Sequence, residues 1–141
     1  MASIANQTLY MSRGDLARLE RLIASVRARD ERDLAYLDSL EARLEQAQPV
    51  AAREVPPSVV TMNSRVRLYD PATGVRVEYT LVFPESADAS QERLSVLAPL
   101  GAALLGAREG DRVRWETPAG EREMVLEAIL YQPEAAGRYD L

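Results

Sequence analysis

The spacing of apolar residues divides the chain into two parts with different periods. Over residues 12–48, apolar side chains recur every three or four positions, a pattern that predicts helix. The apolar positions of the two helical runs are Leu16, Leu19, Leu22, Ile23 and Val26, then Leu34, Leu37, Leu40 and Leu44. Ser12 stands where the first helix would begin and Asp15 follows three residues later, a spacing typical of a capping box.

A charged stretch interrupts this helical pattern. One continuous heptad repeat would put Asp30 and Asp33 in its apolar seam, where two buried carboxylates would be costly. A break over residues 29–33 avoids that cost, and Asp30 would then cap a second helix. We therefore predict an antiparallel helical hairpin, a short coiled coil, over residues 1–48, with one long dimerising helix as the alternative. The predicted tip consists of Arg29, Asp30, Glu31, Arg32 and Asp33.

The second part of the chain has the period of strands. Residues 49–58 contain three prolines and no clear period, so we predict a linker there. From residue 59 apolar and polar side chains alternate, which is typical of strands with one buried face. The predicted strands cover 59–69, 75–83, 94–97, 113–115 and 121–131, with a short apolar helix over 99–106. Residues 59–141 are thus expected to form an antiparallel sheet with one short helix, which makes the chain α+β.

Composition excludes several classes of function. The chain has no cysteine and no histidine, so it lacks thiolate nucleophiles, the usual general base and the commonest zinc ligands. We expect no cofactor and no metal. The net charge of -5 argues against direct binding to nucleic acid. No signal-peptide pattern opens the chain, and no apolar run approaches the ~20 residues of a membrane span. We expect a soluble cytoplasmic protein with a protein partner and no contact with membranes.

Several short blocks of the second part resemble one known family when taken in order. They are residues 60–66, 94–96, 98–106, 110–111, Trp115 with Pro118 and Gly120, and 131–137. In this order they resemble the C-terminal domain of the GreA/GreB transcription factors. The resemblance implies an FKBP-like domain over residues 59–141 behind a short N-terminal coiled coil. It also implies a protein that binds RNA polymerase at the rim of the secondary channel, and we expect a monomer.

The length of the predicted hairpin bears on what such a protein would do. The family that this chain resembles includes Gre factors, which have a long hairpin whose acidic tip holds a catalytic magnesium for transcript cleavage. Each arm here has roughly 15 residues, or about 22 Å, about half the length of a Gre-type arm. We therefore expect a regulator that competes with Gre-type factors and catalyses nothing itself. The alternative is a cleavage factor in which Asp30, Glu31 and Asp33 hold magnesium, although capping and pairing with the neighbouring arginines explain these residues as well.

One segment is a candidate for contact with the polymerase. Ser95, Leu97, Pro99 and Leu100 correspond to the family's polymerase-contacting loop and helix start. The alternative is that they are ordinary turn and core residues. The family pattern has an acidic residue two positions before the proline, where this chain has Leu97.

Arginines also alternate along the predicted strands. They are Arg65, Arg67, Arg76, Arg112 and Arg114. A basic stripe of this kind could meet an acidic partner. Because Glu78, Glu116 and Glu123 are interspersed, we favour a solvated sheet face. Trp115, the only tryptophan, is expected to pack in the core.

Overall fold

Two sheets and three helices form the part of the chain described by the computed structural model, residues 9–29 and 35–138. In chain order the elements are β1 (Leu9–Ser12), α1 (Arg13–Arg29), α2 (Ala35–Glu45), β2 (Ala47–Val50), β3 (Arg65–Tyr69), β4 (Arg76–Val82), β5 (Arg93–Ser95), α3 (Pro99–Leu104), β6 (Arg112–Thr117) and β7 (Gly120–Tyr131). Short 3-10 helices lie at Ala52–Glu54, Pro84–Ser86 and Ala89–Gln91.

The first helix begins where the sequence predicts. The Asp15 N–H donates to Ser12 Oγ at 3.1 Å, which confirms Ser12 as the capping residue of α1. The Asp15 carboxyl group takes a different partner from the one a capping box requires. It accepts the backbone N–H of Met62, far along the chain. The first turn of α1 is therefore joined directly to the second half of the molecule.

The two N-terminal helices pack side by side. Arg27, near the end of α1, donates to Asp38 at 2.7 Å and to Glu41 at 3.5 Å, both on α2. One continuous helix would hold residues 27 and 38 about 16 Å apart. The two helices are therefore separate segments in contact. The predicted turn between them, with Asp30, Glu31 and Asp33, lies outside the described residues, so the hairpin with its charged tip stays a prediction.

A two-stranded parallel sheet joins the outer ends of these two helices. β1 pairs with β2 in the register Leu9↔Ala47 to Ser12↔Val50. The boundary predicted between residues 48 and 49 therefore falls inside a strand, and the predicted linker 49–58 begins within β2. Four residues containing a proline carry too little alternation to reveal a strand. The sequence pattern did not indicate this strand, because its pairing partner lies 38 positions earlier in the chain.

The larger sheet has the strand order β5-β4-β3-β7-β6. Its pairings are antiparallel except for β4 with β5, which is parallel. The sheet is thus mixed and not purely antiparallel as predicted, because residues 83–92 carry the chain back to the start of the neighbouring strand. β3 also begins later than predicted. Residues 61–64 form a turn in which Ser64 N–H donates to the Thr61 carbonyl, and Asn63 has a φ of 68°.

A single apolar core joins the two parts. Leu19 of α1 and Leu40 of α2 are fully buried in the same cluster as Val66, Leu81 and Leu126 of the larger sheet. Trp115 is half-buried and packs against that cluster, as predicted. The helices thus do not stand apart from the sheet in the described residues. Across residues 9–29 and 35–138, no helix has the length and apolar character needed to cross a bilayer.

Candidate functional site

Residues 95–100, here called the docking segment for their candidate role, run from the last residue of β5 through a tight turn into the first two residues of α3. Ser95 Oγ accepts the Leu97 N–H at 3.0 Å, and the Ser95 carbonyl accepts the Ala98 N–H at 3.0 Å. Pro99 is the first residue of α3, where its missing N–H costs nothing. The four residues singled out in the sequence therefore lie together on one turn with fixed geometry.

The docking segment has an unusual lack of charge. No Asp, Glu, Lys or Arg occurs over residues 94–107, in a chain that is 28% charged. Pro99 is exposed, while Leu97 and Leu100 are half-buried and pack against the core. Leu97 and Leu100 thus contribute to the core and also expose part of their surface to solvent. Depletion of charge is the compositional mark of the centre of protein–protein interfaces.

A glycine fixes the position of α3 on this turn. A Cβ added to Gly101 would lie 2.0 Å from the Ser95 carbonyl oxygen. The helix therefore lies directly on the backbone of the docking segment, at a distance that only glycine permits. This contact ties the exposed end of α3 to the end of β5.

A polar cluster lies where α1 meets the turn at residues 61–64. Asp15 is buried, with 5% of its surface exposed. Thr61 Oγ1 donates to Glu134 Oε1 at 2.7 Å, and the Thr61 N–H donates to Ser64 Oγ at 2.9 Å. The carboxyl groups of Asp15 and Glu134, from distant parts of the chain, thus interact electrostatically. These two residues with Thr61 and Ser64 are here called the Asp15 junction.

The environment of Asp15 changes its acidity. Burial raises the pKa of the Asp15 carboxyl group to about 7, and the charge of Glu134 adds to the rise. The charge of Arg18 and the Met62 N–H oppose this shift. The spacing of Ser12 and Asp15 indicated only a capping role for Asp15. Its position four residues before Leu19, on the apolar face of α1, was the signal that it would be buried.

The last described segment of the chain holds this junction together. Gln132 Nε2 donates to the carbonyls of Pro56 and Val59, at 2.8 and 2.6 Å, and Gln132 Oε1 accepts the Ala135 N–H. Residues 133–137 form turns, and buried Gln132 fastens them to the segment that precedes the larger sheet. No periodic pattern marks such a contact, because a single amide makes it.

The outer face of the larger sheet carries paired charges. Glu127 accepts from Arg67 and Arg76, each at 2.9 Å, and Glu123 accepts from Arg114 at 2.7 Å. Arg65 likewise bridges Glu78 and Glu92, each at 3.0 Å. The arginines that alternate along the strands are therefore neutralised by glutamates. This arrangement fits the solvated face that the sequence favours over a basic binding stripe.

These ion pairs give a first testable prediction. The two arginines lower the pKa of Glu127, so its stabilising contribution exists above the ordinary pKa and is lost as pH falls through the lowered value. Replacing Glu127 with glutamine should cause a small loss of stability at neutral pH and none in strong acid. Urea unfolding at several pH values measures this. The control is Glu116→Gln, which removes an exposed carboxylate outside these ion pairs; an equal pH dependence of both variants would contradict the prediction.

Residues 9–29 and 35–138 contain no group of three or more acidic side chains placed to hold a metal ion. The predicted tip carboxylates, Asp30, Glu31 and Asp33, lie outside those residues. The docking segment and the Asp15 junction are thus the features of the described chain with a distinctive arrangement.

A family model and individual proteins similar to this chain agree with one another. The profile described as "Transcription elongation factor, GreA/GreB, C-term" matches residues 55–131. The regulator of nucleoside diphosphate kinase of Escherichia coli strain K12 is 48% identical over 108 residues, which are 75% of this chain and 79% of that protein. The transcription inhibitor protein Gfh1 of Thermus aquaticus is 39% identical over 97 residues, which are 67% of this chain and 60% of the relative.

A solved structure agrees with these sequence relatives. The prokaryotic transcription elongation factor GreA/GreB from Nitrosomonas europaea is 36% identical, with a TM-score of 0.75. The match covers 89% of this chain and all of that one. Its mixed α+β architecture is the one described above. By sequence and by fold, this chain belongs to the GreA/GreB family of transcription factors.

Proposed function

We propose that this protein binds RNA polymerase at the rim of the secondary channel and competes there with Gre-type factors, without stimulating transcript cleavage. The docking segment is the contact, with Ser95, Leu97, Pro99 and Leu100 as its candidate residues. Membership of the GreA/GreB family supports the partner. The uncharged turn at residues 95–100, closed by hydrogen bonds from Leu97 and Ala98 to Ser95, is the observation that supports the choice of this surface.

The absence of cleavage is inferred from length and from relatives. α1 has 17 residues, which corresponds to about 25 Å. The family resemblance implies that Gre-type arms are about twice as long and reach the catalytic centre of the polymerase. An arm of about 25 Å would therefore end well short of that centre. Two relatives are named a regulator and a transcription inhibitor, and these names fit occupation of a site better than catalysis.

Other features of the proposal follow from the same family resemblance. We infer that the larger sheet with α3 is an FKBP-like domain and that the protein acts as a monomer in the cytoplasm, where the polymerase works. The net charge of -5 and the paired arginines of the sheet support the absence of direct nucleic-acid binding. The polymerase is then the partner that brings the protein to DNA.

A charge introduced at the docking segment tests the proposed surface. Pro99→Glu puts a carboxylate into the uncharged turn, at the first position of α3, where a negative charge is compatible with the helix. We expect binding to core RNA polymerase to weaken about tenfold or more, because an unpaired charge is desolvated on docking. Binding is measured by titrating labelled protein with polymerase and following fluorescence anisotropy.

The matched control for this experiment is Pro118→Glu. Pro118 is exposed in the turn between β6 and β7 and is far from the docking segment in sequence. It should bind polymerase like the parent. Equal weakening by both variants, or by neither, would contradict the choice of residues 95–100 as the contact.

The cleavage alternative is tested on backtracked transcription complexes. A cleavage factor would release short RNA from such complexes when the protein is added. We expect no release above the rate of polymerase alone, even at saturating protein. Release that disappears on combined replacement of Asp30, Glu31 and Asp33 would favour the alternative.

A further inference from the structure

A half-buried arginine connects the helical pair, α1 and α2, to α3, the helix that begins within the docking segment. Arg43 lies on α2, and its Nη2 donates to the carbonyl of Leu105 at the C-terminal end of α3. The Asp111 carboxylate, in the loop before β6, is the charged group that acts on the Arg43 guanidinium. Burial lowers the pKa of Arg43 and the charge of Asp111 opposes that shift. The guanidinium thus spans two parts of the molecule.

The contact between Arg43 and the Leu105 carbonyl has an energetic cost that a role in stability alone does not explain. Arg43 Nε is enclosed, and no residue of the described chain accepts a hydrogen bond from it. A buried donor without a partner lowers stability, because it has lost its hydrogen bonds to water and gained none in return. An apolar side chain of similar volume often fills such a place with equal or better stability. What the guanidinium supplies and an apolar side chain does not is direction, because it holds one specific carbonyl oxygen.

The contacts of α3 show what that direction fixes. The helix has six residues and is about 9 Å long. At its N-terminal end, Gly101 lies against the Ser95 carbonyl of the docking segment. At its C-terminal end, Gly106 lies against Leu9 of β1, and a Cβ there would be 1.7 Å from Leu9 Cδ1. α3 therefore contacts the docking segment at one end and the N-terminal elements at the other.

We propose that Arg43 is a positioning residue that sets the orientation of the helical pair relative to the docking segment, through the C-terminal end of α3. The proposal rests on the proposed function for its purpose, since orientation matters where the docked protein must exclude a competitor. Its geometric part stands alone. Without Arg43, apolar packing still holds α2 against the sheet, but packing is less directional than a hydrogen bond to one carbonyl.

The test measures orientation directly. The chain has no cysteine, so nitroxide labels at Ser25→Cys on α1 and Glu116→Cys on β6, both exposed positions, report one distance by pulsed electron paramagnetic resonance. We expect one narrow distance distribution for the parent. Arg43→Met should give a broadened or shifted distribution with a melting temperature at or above that of the parent. Arg43→Lys, which restores a donor, should recover part of the narrow distribution.

The matched control is Arg21→Met, an exposed arginine of α1, which should leave the distance unchanged. A narrow, unshifted distribution in Arg43→Met would overturn the proposal. If that variant does not fold, Arg43→Gln is judged by the same two measurements. Failure of both to fold would identify Arg43 as a structural residue and would also overturn it.

Polymerase binding separates this proposal from the proposed function. Arg43→Met should bind core polymerase about tenfold more weakly, the effect of losing one charge-assisted hydrogen bond that preorganises the surface. If the parent itself does not bind polymerase, the proposed function fails while the distance measurement still decides the role of Arg43. If the parent binds and the distance broadens with no change in affinity, orientation has no part in docking, and the proposal fails on that point.

Discussion

Replacing Asp15 with asparagine is expected to stabilise the protein at pH 8 and to remove most of its pH dependence between pH 5.5 and 8. The folded-state pKa of Asp15 is raised to about 7 from an ordinary value of 3.8. The folded state therefore binds a proton more tightly than the unfolded state. Stability due to this group is highest at low pH, falls as pH rises from the unfolded value to the folded one, and is level above that.

The size of this effect follows from the width of the pH window. Each pH unit between the two pKa values changes the free energy of unfolding by about 1.4 kcal/mol, so the parent should lose about 2 kcal/mol between pH 5.5 and 7. Asparagine has no charge to bury and keeps an oxygen for the Met62 N–H. Urea unfolding at half-unit pH steps should give a sloping line for the parent and a nearly level one for Asp15→Asn.

The composition makes this window unusually clear. The chain has no histidine and no cysteine, so no other side chain has an ordinary pKa between 5.5 and 8. Glu134→Gln is the informative control, because it removes the neighbouring charge that raises the pKa of Asp15. The sloping region should then end at a lower pH. A parent whose stability is level, or rises, over this window would contradict the account of the Asp15 junction.

Replacing Gly101 with alanine is expected to destabilise the protein by about 3 kcal/mol, at the upper end of the cost of overpacking. The new methyl group would lie 2.0 Å from the Ser95 carbonyl oxygen and 3.1 Å from the Val96 Cα. Both neighbours are backbone, so neither can swing away as the end of a side chain would. Relief requires α3 to move off the docking segment, which breaks the packing of Ala102 and Leu104 in the core.

Gly14→Ala is the matched control for this substitution. Gly14 lies in the first turn of α1, and a Cβ there has nothing within 4 Å. Alanine should stabilise the protein by about 0.5–1 kcal/mol at this position, because it reduces the freedom of the unfolded chain. Thermal unfolding of both variants should therefore give shifts of opposite sign. Two shifts of the same sign would contradict the close contact at Gly101.

Elements whose residues show a clear hydrophobic period or a local boundary residue were predictable from the sequence. The alternation over residues 75–83 and 121–131 predicted β4 and β7 to within a residue or two, since a half-buried strand must alternate. Pro99 predicted the start of α3 for the same kind of local reason. The predicted break in the N-terminal helical pattern rests on the cost of burying carboxylates in an apolar seam, and most of its residues lie outside the described part of the chain.

Features that depend on distant pairing were not predictable. β1 and β2 have four residues each and pair with each other across a separation of 38 positions, so no local pattern indicates them. The parallel approach of β5 to β4 depends on how residues 83–92 return, and not on the strand residues themselves. Arg43 and Gln132 carry no signal in the sequence either, because each acts through a single polar contact. The candidate docking residues came from family resemblance, and their role stays a prediction.

The most direct test of the central claim is competition on the polymerase. A backtracked complex is incubated with a Gre cleavage factor and increasing amounts of this protein, while bound Gre factor and released RNA are measured together. We expect both to fall in parallel as this protein is added, and the Pro99→Glu variant to require about tenfold more protein for the same effect. Undiminished Gre binding and cleavage at saturating protein would contradict the account.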